Sequence, residues 1–126
     1  PDLFHGYTYS GHPLACAAAI ATADLYRDEG VFENADAMSG PWEDMLHSLA
    51  DLPGVIDIRN MGLVGALQLE SDETVGARGR AAFEKLWDAG LSCRPIGDSL
   101  AMSPPLIVTE DHIGQIGDMF RRVLAG

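Results

Sequence analysis

Two pairs of short strand-like runs constrain this chain more than anything else in it. Val55-Ile56-Asp57-Ile58-Arg59 alternates apolar and polar residues, and Asn60-Met61-Gly62 breaks the run. Leu63 to Glu70 resumes it, with Val64, Ala66 and Gln68 facing one way. Gly65 inside this run marks either a bulge or a close backbone neighbour. The second pair is Leu91-Ser92-Cys93-Arg94 and Ser99 to Ser103, joined by the turn Pro95-Ile96-Gly97-Asp98. Pro104-Pro105 ends it, because neither residue can donate to a ladder. Short connections of this kind make antiparallel pairing the economical arrangement.

Helical periodicity surrounds these runs. Leu14, Ala17, Ala18, Ala21 and Leu25 repeat at helical spacing over about residues 13–28, and Gly30 supplies the stop. A second stripe follows at Val31, Ala35, Met38, Trp42, Met45, Leu49 and Leu52. Ser39-Gly40-Pro41 predicts a kink or break within it, with Ser39 as a new cap, since Pro41 lacks the N–H that an interior position needs. A third helix is predicted over about residues 78–89, with Ala82, Phe83, Leu86 and Trp87 inward. In the last, Thr109 is a good N-cap and Glu110 and Asp111 suit the positive end of the dipole. Ile113, Ile116, Phe120, Val123 and Leu124 form its apolar stripe. The order helix, helix, strand, strand, helix, strand, strand, helix predicts a single α+β domain over residues 1–126: a small, mainly antiparallel sheet with helices packed on one face.

A net charge of −11 sets limits on partners. Nucleic acid and anionic membranes are repelled by such a field, and no basic cluster offsets it. No apolar run approaches a membrane span. Cys16 and Cys93 fall outside any CxxC spacing and are expected as buried small hydrophobes in a reducing cytosol. His5, His12, His47 and His112 have no ligand spacing, so no metal site is expected.

The chemistry concentrates at the start: His5-Gly6-Tyr7-Thr8-Tyr9-Ser10-Gly11-His12-Pro13-Leu14-Ala15-Cys16-Ala17-Ala18-Ala19. Two glycines flank an aromatic–hydroxyl cluster, and Pro13 suits a first helical turn. Ser10 or His12 stands near the cap. Free N–H groups at a helix start suit anions, so the segment can place Thr8, with Ser10 nearby, beside a phosphate. As a pattern alone it also reads as a polar loop before an Ala-rich helix.

The run HGYTYSGHPLACAAAIATADLYRDEG resembles the start of the small C-terminal domain of class III aminotransferases, which are fold-type-I pyridoxal-phosphate enzymes. The likeness continues through RNMGLVGALQLE, CRPIGD and MSPPL and covers essentially the whole chain. It is strongest to the ω-amino acid–pyruvate (β-alanine–pyruvate) transaminases. The resemblance implies the same α+β architecture, and it implies that this chain, opening on Pro1, is a piece of a longer cytoplasmic enzyme. It also implies a homodimer or higher homo-oligomer acting on a small-molecule amino donor and a keto-acid acceptor.

Residue roles follow from the same resemblance. Thr8 matches the threonine that reaches across the dimer interface to the cofactor phosphate, and Tyr7 the aromatic position beside it. Arg94, in Arg94-Pro95-Ile96-Gly97-Asp98, matches the arginine that binds the substrate carboxylate and swings aside for apolar amines. Without the resemblance, Arg94 reads as a salt-bridge partner of Asp98. The family's Schiff-base lysine and the groups that cradle pyridoxal 5'-phosphate lie upstream of the segment matching Pro1, so no catalytic residue is expected here. Lys85, the one lysine, matches nothing catalytic. The chain alone is therefore expected to be inactive. A rival reading from another class is a free-standing, non-catalytic α+β module for binding or dimerisation.

Overall fold

The computed structural model describes residues 6–126, which divide into two compact units, one ending at Val31 and the other spanning Phe32–Gly126. In the first, the amide of Ser10 donates to the Tyr7 carbonyl at 3.0 Å, closing a turn. Gly11 takes the positive φ that leads into a helix over Pro13–Asp28 (α1). Pro13 stands in its first turn, as expected. No residue of α1 is buried, and Cys16 is exposed, which corrects its expected burial. The reason is local: α1 is the only regular element described in its unit, so small side chains have no second element there to pack on.

The second unit holds three helices, Val31–His47 (α2, whose first residue lies in the first unit), Ala77–Asp88 (α3) and Glu110–Leu124 (α4). Its four strands are Val55–Met61 (β1), Val64–Leu69 (β2), Arg94–Ile96 (β3) and Ser99–Met102 (β4). The sheet has the order β1-β2-β4-β3 with every neighbouring pair antiparallel, in keeping with the small, mainly antiparallel sheet expected from the sequence. From β2 the chain crosses through α3 to the edge strand β3 and returns as β4 beside β2. Leu67 and Leu100 pair across β2 and β4, and both are fully buried. They join Trp42, Leu46, Leu49, Leu86, Ile113 and Phe120 in one core. Each such side chain taken from water contributes about 1.5–3 kcal/mol, so this cluster dominates the unit's stability. Thr109 caps α4 as expected, its Oγ1 accepting from the His112 amide at 3.3 Å.

Gly65 lies on the core side of β2, where an added Cβ would collide with Leu46 Cδ1. The neighbours are the side chains of Leu46 and Trp42 from α2, not the backbone neighbour expected of this glycine. The irregularity in the β1–β2 ladder falls elsewhere, between Val55 and Asp57.

Three local expectations are corrected. First, α2 runs unbroken through Pro41, and Ser39 Oγ donates back to the Asp36 carbonyl at 2.6 Å instead of capping a new helix. Proline inside a helix costs about 3 kcal/mol, but Trp42, Met45 and Leu46 immediately beyond it are buried in the core and offset that cost. Second, Trp87 is 60% exposed. The buried stripe of α3 is Gly79, Ala82 and Leu86, and the next residue lies about 100° round the helix from Leu86. Third, β3 is Arg94–Ile96 and not residues 91–94, and the turn contracts to Gly97 and Asp98. Pro95 is tolerated because β3 is an edge strand with one partner.

Candidate active-site elements

The turn from Tyr7 to Ser10 carries Thr8 and Tyr9 at its two central positions, and both side chains are exposed. His12 occupies the N-cap of α1 but makes no side-chain capping bond, and Pro13 has no N–H to offer. The positive end of the α1 dipole is thus open, close in sequence to the Thr8 hydroxyl. Tyr7, also exposed, belongs to the same turn. Sequence reasoning placed Tyr7 and Thr8 in a loop before a helix, and that is where they stand.

Arg94 is the first residue of β3, on the edge of the sheet in the other unit. It pairs with Ala101, which pairs in turn with Ala66, so small residues border it on the open face. Its side chain is exposed. Among the described residues, Arg27, Arg59, Arg78, Arg80 and Arg121 all stand in ion pairs, whereas Arg94 and Arg122 do not. Arg122 lies in the last turn of α4, where a cation suits the helix dipole. Arg94 has no such employment. In a chain of charge −11, a guanidinium left unpaired by so many carboxylates is available to an external anion.

The expected salt bridge between Arg94 and Asp98 does not form, because Asp98 is committed elsewhere. It is 4% exposed. Its Oδ1 accepts from the Gly79 amide at 2.9 Å, and its Oδ2 accepts from the Gly76 amide and the Ser71 hydroxyl, both at 2.8 Å. The Gly79 amide first, and then the Gly76 amide, hold the Asp98 carboxyl below the usual carboxylate range against the opposing effect of burial. This anchor is the one site feature that the sequence reading missed. Its only local signal is a pair of glycines at the start of α3, and nothing local connects them to an aspartate in a later turn.

Lys85 is exposed on α3. No cluster among the described residues has the make-up of a metal site, and no described helix is long and apolar enough to cross a membrane. A hollow of about 200 Å³ lies among Trp42, Met102, Ser103, Pro104, Pro105 and Ile116, with no charged side chain in its lining.

Comparison with known proteins shows the family. The family model "Aminotransferase class-III" matches residues 1–124. The chain is 49% identical to an omega-aminotransferase of Caulobacter vibrioides over 98% of its own length and 28% of the relative's. It is 37% identical to a beta-alanine–pyruvate aminotransferase of Pseudomonas aeruginosa, over 99% of this chain and 28% of that one. Among solved structures, an omega transaminase from Pseudomonas jessenii in complex with PMP superposes with a TM-score of 0.87 at 34% identity, covering 95% of this chain and 28% of that one. The chain therefore spans a little over a quarter of the length of the relatives it matches.

Proposed function

The chain belongs to the class III aminotransferases, and on that footing we propose that it forms the C-terminal small domain of a longer enzyme that moves an amino group from an ω-amino acid or amine to pyruvate or a similar keto acid. Enzymes of this class depend on pyridoxal phosphate. When bound, that cofactor supplies the electron sink for exchanging an amino group between two carbon skeletons. The names of the two relatives, one an omega-aminotransferase and one a beta-alanine–pyruvate aminotransferase, support the substrate class. In this reading the enzyme is a cytoplasmic homodimer or higher homo-oligomer.

The observation that carries the reading is the unpaired guanidinium of Arg94. A keto acid and an amino-acid donor both bring a carboxylate, and arginine meets a carboxylate through two parallel N–H donors. Arg94 binds and orients that group, and its place at a sheet edge beside Ala101 leaves it room to move aside for an amine without one. The opening turn fits a phosphate. Thr8 offers an exposed neutral hydroxyl, and the uncapped start of α1 adds backbone donors and a favourable dipole. Thr8 donates to the cofactor phosphate across the dimer interface, and Tyr7 lines the same region. The groups that bond and cradle the cofactor ring come from outside these residues, so the chain alone does not turn over.

The direct test is alanine formation from pyruvate with β-alanine or a simple arylalkylamine, in the complete purified enzyme supplied with pyridoxal phosphate. Failure with every donor would favour a non-catalytic binding or dimerisation module. Thr8→Ala weakens cofactor retention in the dimer by about 1–3 kcal/mol, the worth of one charge-assisted hydrogen bond. Equilibrium dialysis of the dimer against pyridoxal phosphate measures it. An unchanged dissociation constant would reduce Thr8 to an ordinary loop residue.

A further inference from the structure

Asp98 has no part in the chemistry above, yet it is the one buried charged side chain among the described residues and stands four positions from Arg94. Its three hydrogen bonds define what it holds. Gly76 is the N-cap of α3 and has no side chain with which to cap, while Gly79 lies in the first turn. Asp98 accepts from both amides and so does the work of an N-cap side chain from a remote turn. The approach is close: an added Cβ at Gly79 would collide with the Gly97 carbonyl, and Gly76 packs against the backbone of Gly97. The Asp98 carbonyl also accepts from the Leu69 amide at 2.9 Å, at the end of β2. The tip of the β3–β4 hairpin is thereby fixed at the start of α3 and the end of β2.

Besides this anchor, β3 touches α3, and Leu91 and Cys93 just before it pack against the core. The strand has three residues, one partner strand, and a proline in the middle that cannot donate. The segment leading into it, residues 91–93, has no regular structure. On the N-terminal side, Arg94 is held by the packing of Leu91 and Cys93; on the C-terminal side its direction depends on the pairing with β4 and on the anchored tip.

We propose that Asp98 is a positioning residue for carboxylate substrates: its buried carboxylate, bound to the start of α3, holds the hairpin so that Arg94 presents its guanidinium in one orientation. This rests on the reading of Arg94 as the carboxylate-binding residue. The depressed protonation range of Asp98 is consistent with it, since the carboxyl stays ionised and able to accept all three bonds at neutral pH. Asp98 touches no substrate in this scheme and acts only through Arg94.

The test uses the complete enzyme and two substrate classes. Asp98→Asn keeps the size of the side chain but turns one acceptor into a donor facing an N–H. It raises KM for pyruvate by about tenfold, while single-turnover amino transfer from a simple arylalkylamine changes by less than about twofold. In an Arg94→Ala background the same substitution raises the pyruvate KM no further, because the residue it positions is gone. Ser71→Ala is the milder variant should Asp98→Asn fail to fold. It removes one donor and raises the pyruvate KM by about two- to threefold, and Ser71→Thr, which keeps the hydroxyl, restores it. Equal losses for both substrate classes, or an undiminished effect of Asp98→Asn or Ser71→Ala in the Arg94→Ala background, would overturn the proposal. If Arg94→Ala itself leaves pyruvate untouched, the reading of Arg94 fails. If Arg94→Ala impairs pyruvate and neither Asp98→Asn nor Ser71→Ala does, only the positioning role fails.

Discussion

Arg94→Ala in the complete enzyme lowers kcat/KM for pyruvate and β-alanine by about 10²-fold or more, the equivalent of a lost charge-assisted fork of roughly 3 kcal/mol. The loss is selective. An arylalkylamine donor has no carboxylate to pair, so its single-turnover reaction changes much less. Arg94→Lys recovers only part of the loss, because an ammonium lacks the planar pair of donors. Comparing the two half-reactions separates this role from a structural one. The structure removes the obvious structural competitor, since Asp98 is occupied by the Gly76 and Gly79 amides and the Ser71 hydroxyl, and Arg94 has no ion pair among the described residues to lose. Equal losses for both donor classes, with a lowered melting temperature, would mark Arg94 as a residue of the fold.

Gly79→Ala destabilises the protein by about 3 kcal/mol, although the same change in an open helix position stabilises by up to about 1 kcal/mol. The sign reverses because of what lies opposite. A Cβ on Gly79 would collide with the Gly97 carbonyl and stand 2.8 Å from Asp98 Cα, and both are backbone atoms that cannot rotate away. The hairpin must retreat from α3, and the 2.9 Å bond from the Gly79 amide to Asp98 is stretched as it does so. Gly114, in α4, is the control. Nothing lies within 4 Å of an added Cβ there, so Gly114→Ala follows helix propensity and stabilises. Urea unfolding of the two variants checks the pair. A stabilised Gly79→Ala protein would mean that the start of α3 and the β3–β4 turn are not in contact.

Much of this architecture was legible beforehand because it depends on near neighbours in the chain. Alternation placed Val64, Ala66 and Gln68 on one face of the strand, and the structure buries Gly65, Leu67 and Leu69 on the other. Pro13, Gly30 and Thr109 marked helix ends through the conformations and caps that they alone favour. The order of elements followed from periodicity, and the antiparallel pairing of β1 with β2 from their short connection. The resemblance carried by the opening motif and by Arg94-Pro95-Ile96-Gly97-Asp98 led to the right family, which the match over residues 1–124 shows.

The failures share one cause. Pro41 marked a kink or break in α2 by local rules, and no break occurs, because burial of Trp42, Met45 and Leu46 outweighs the local penalty. Trp87 reads as core by hydrophobicity and lies in the open, because the stripe that meets the sheet passes one residue away through Leu86. Asp98 looked like the natural partner of Arg94 four residues before it, and it instead caps a helix whose N-cap glycine lies 22 positions upstream. Periodicity and turn chemistry act between residues a few positions apart, so the order and type of the elements were determined by the sequence itself. Which polar group meets which backbone amide is settled only when those elements pack, because a buried carboxylate must take whatever donors the assembled core leaves within reach. That packing left Asp98 bound to α3 and Arg94 with its charge uncommitted.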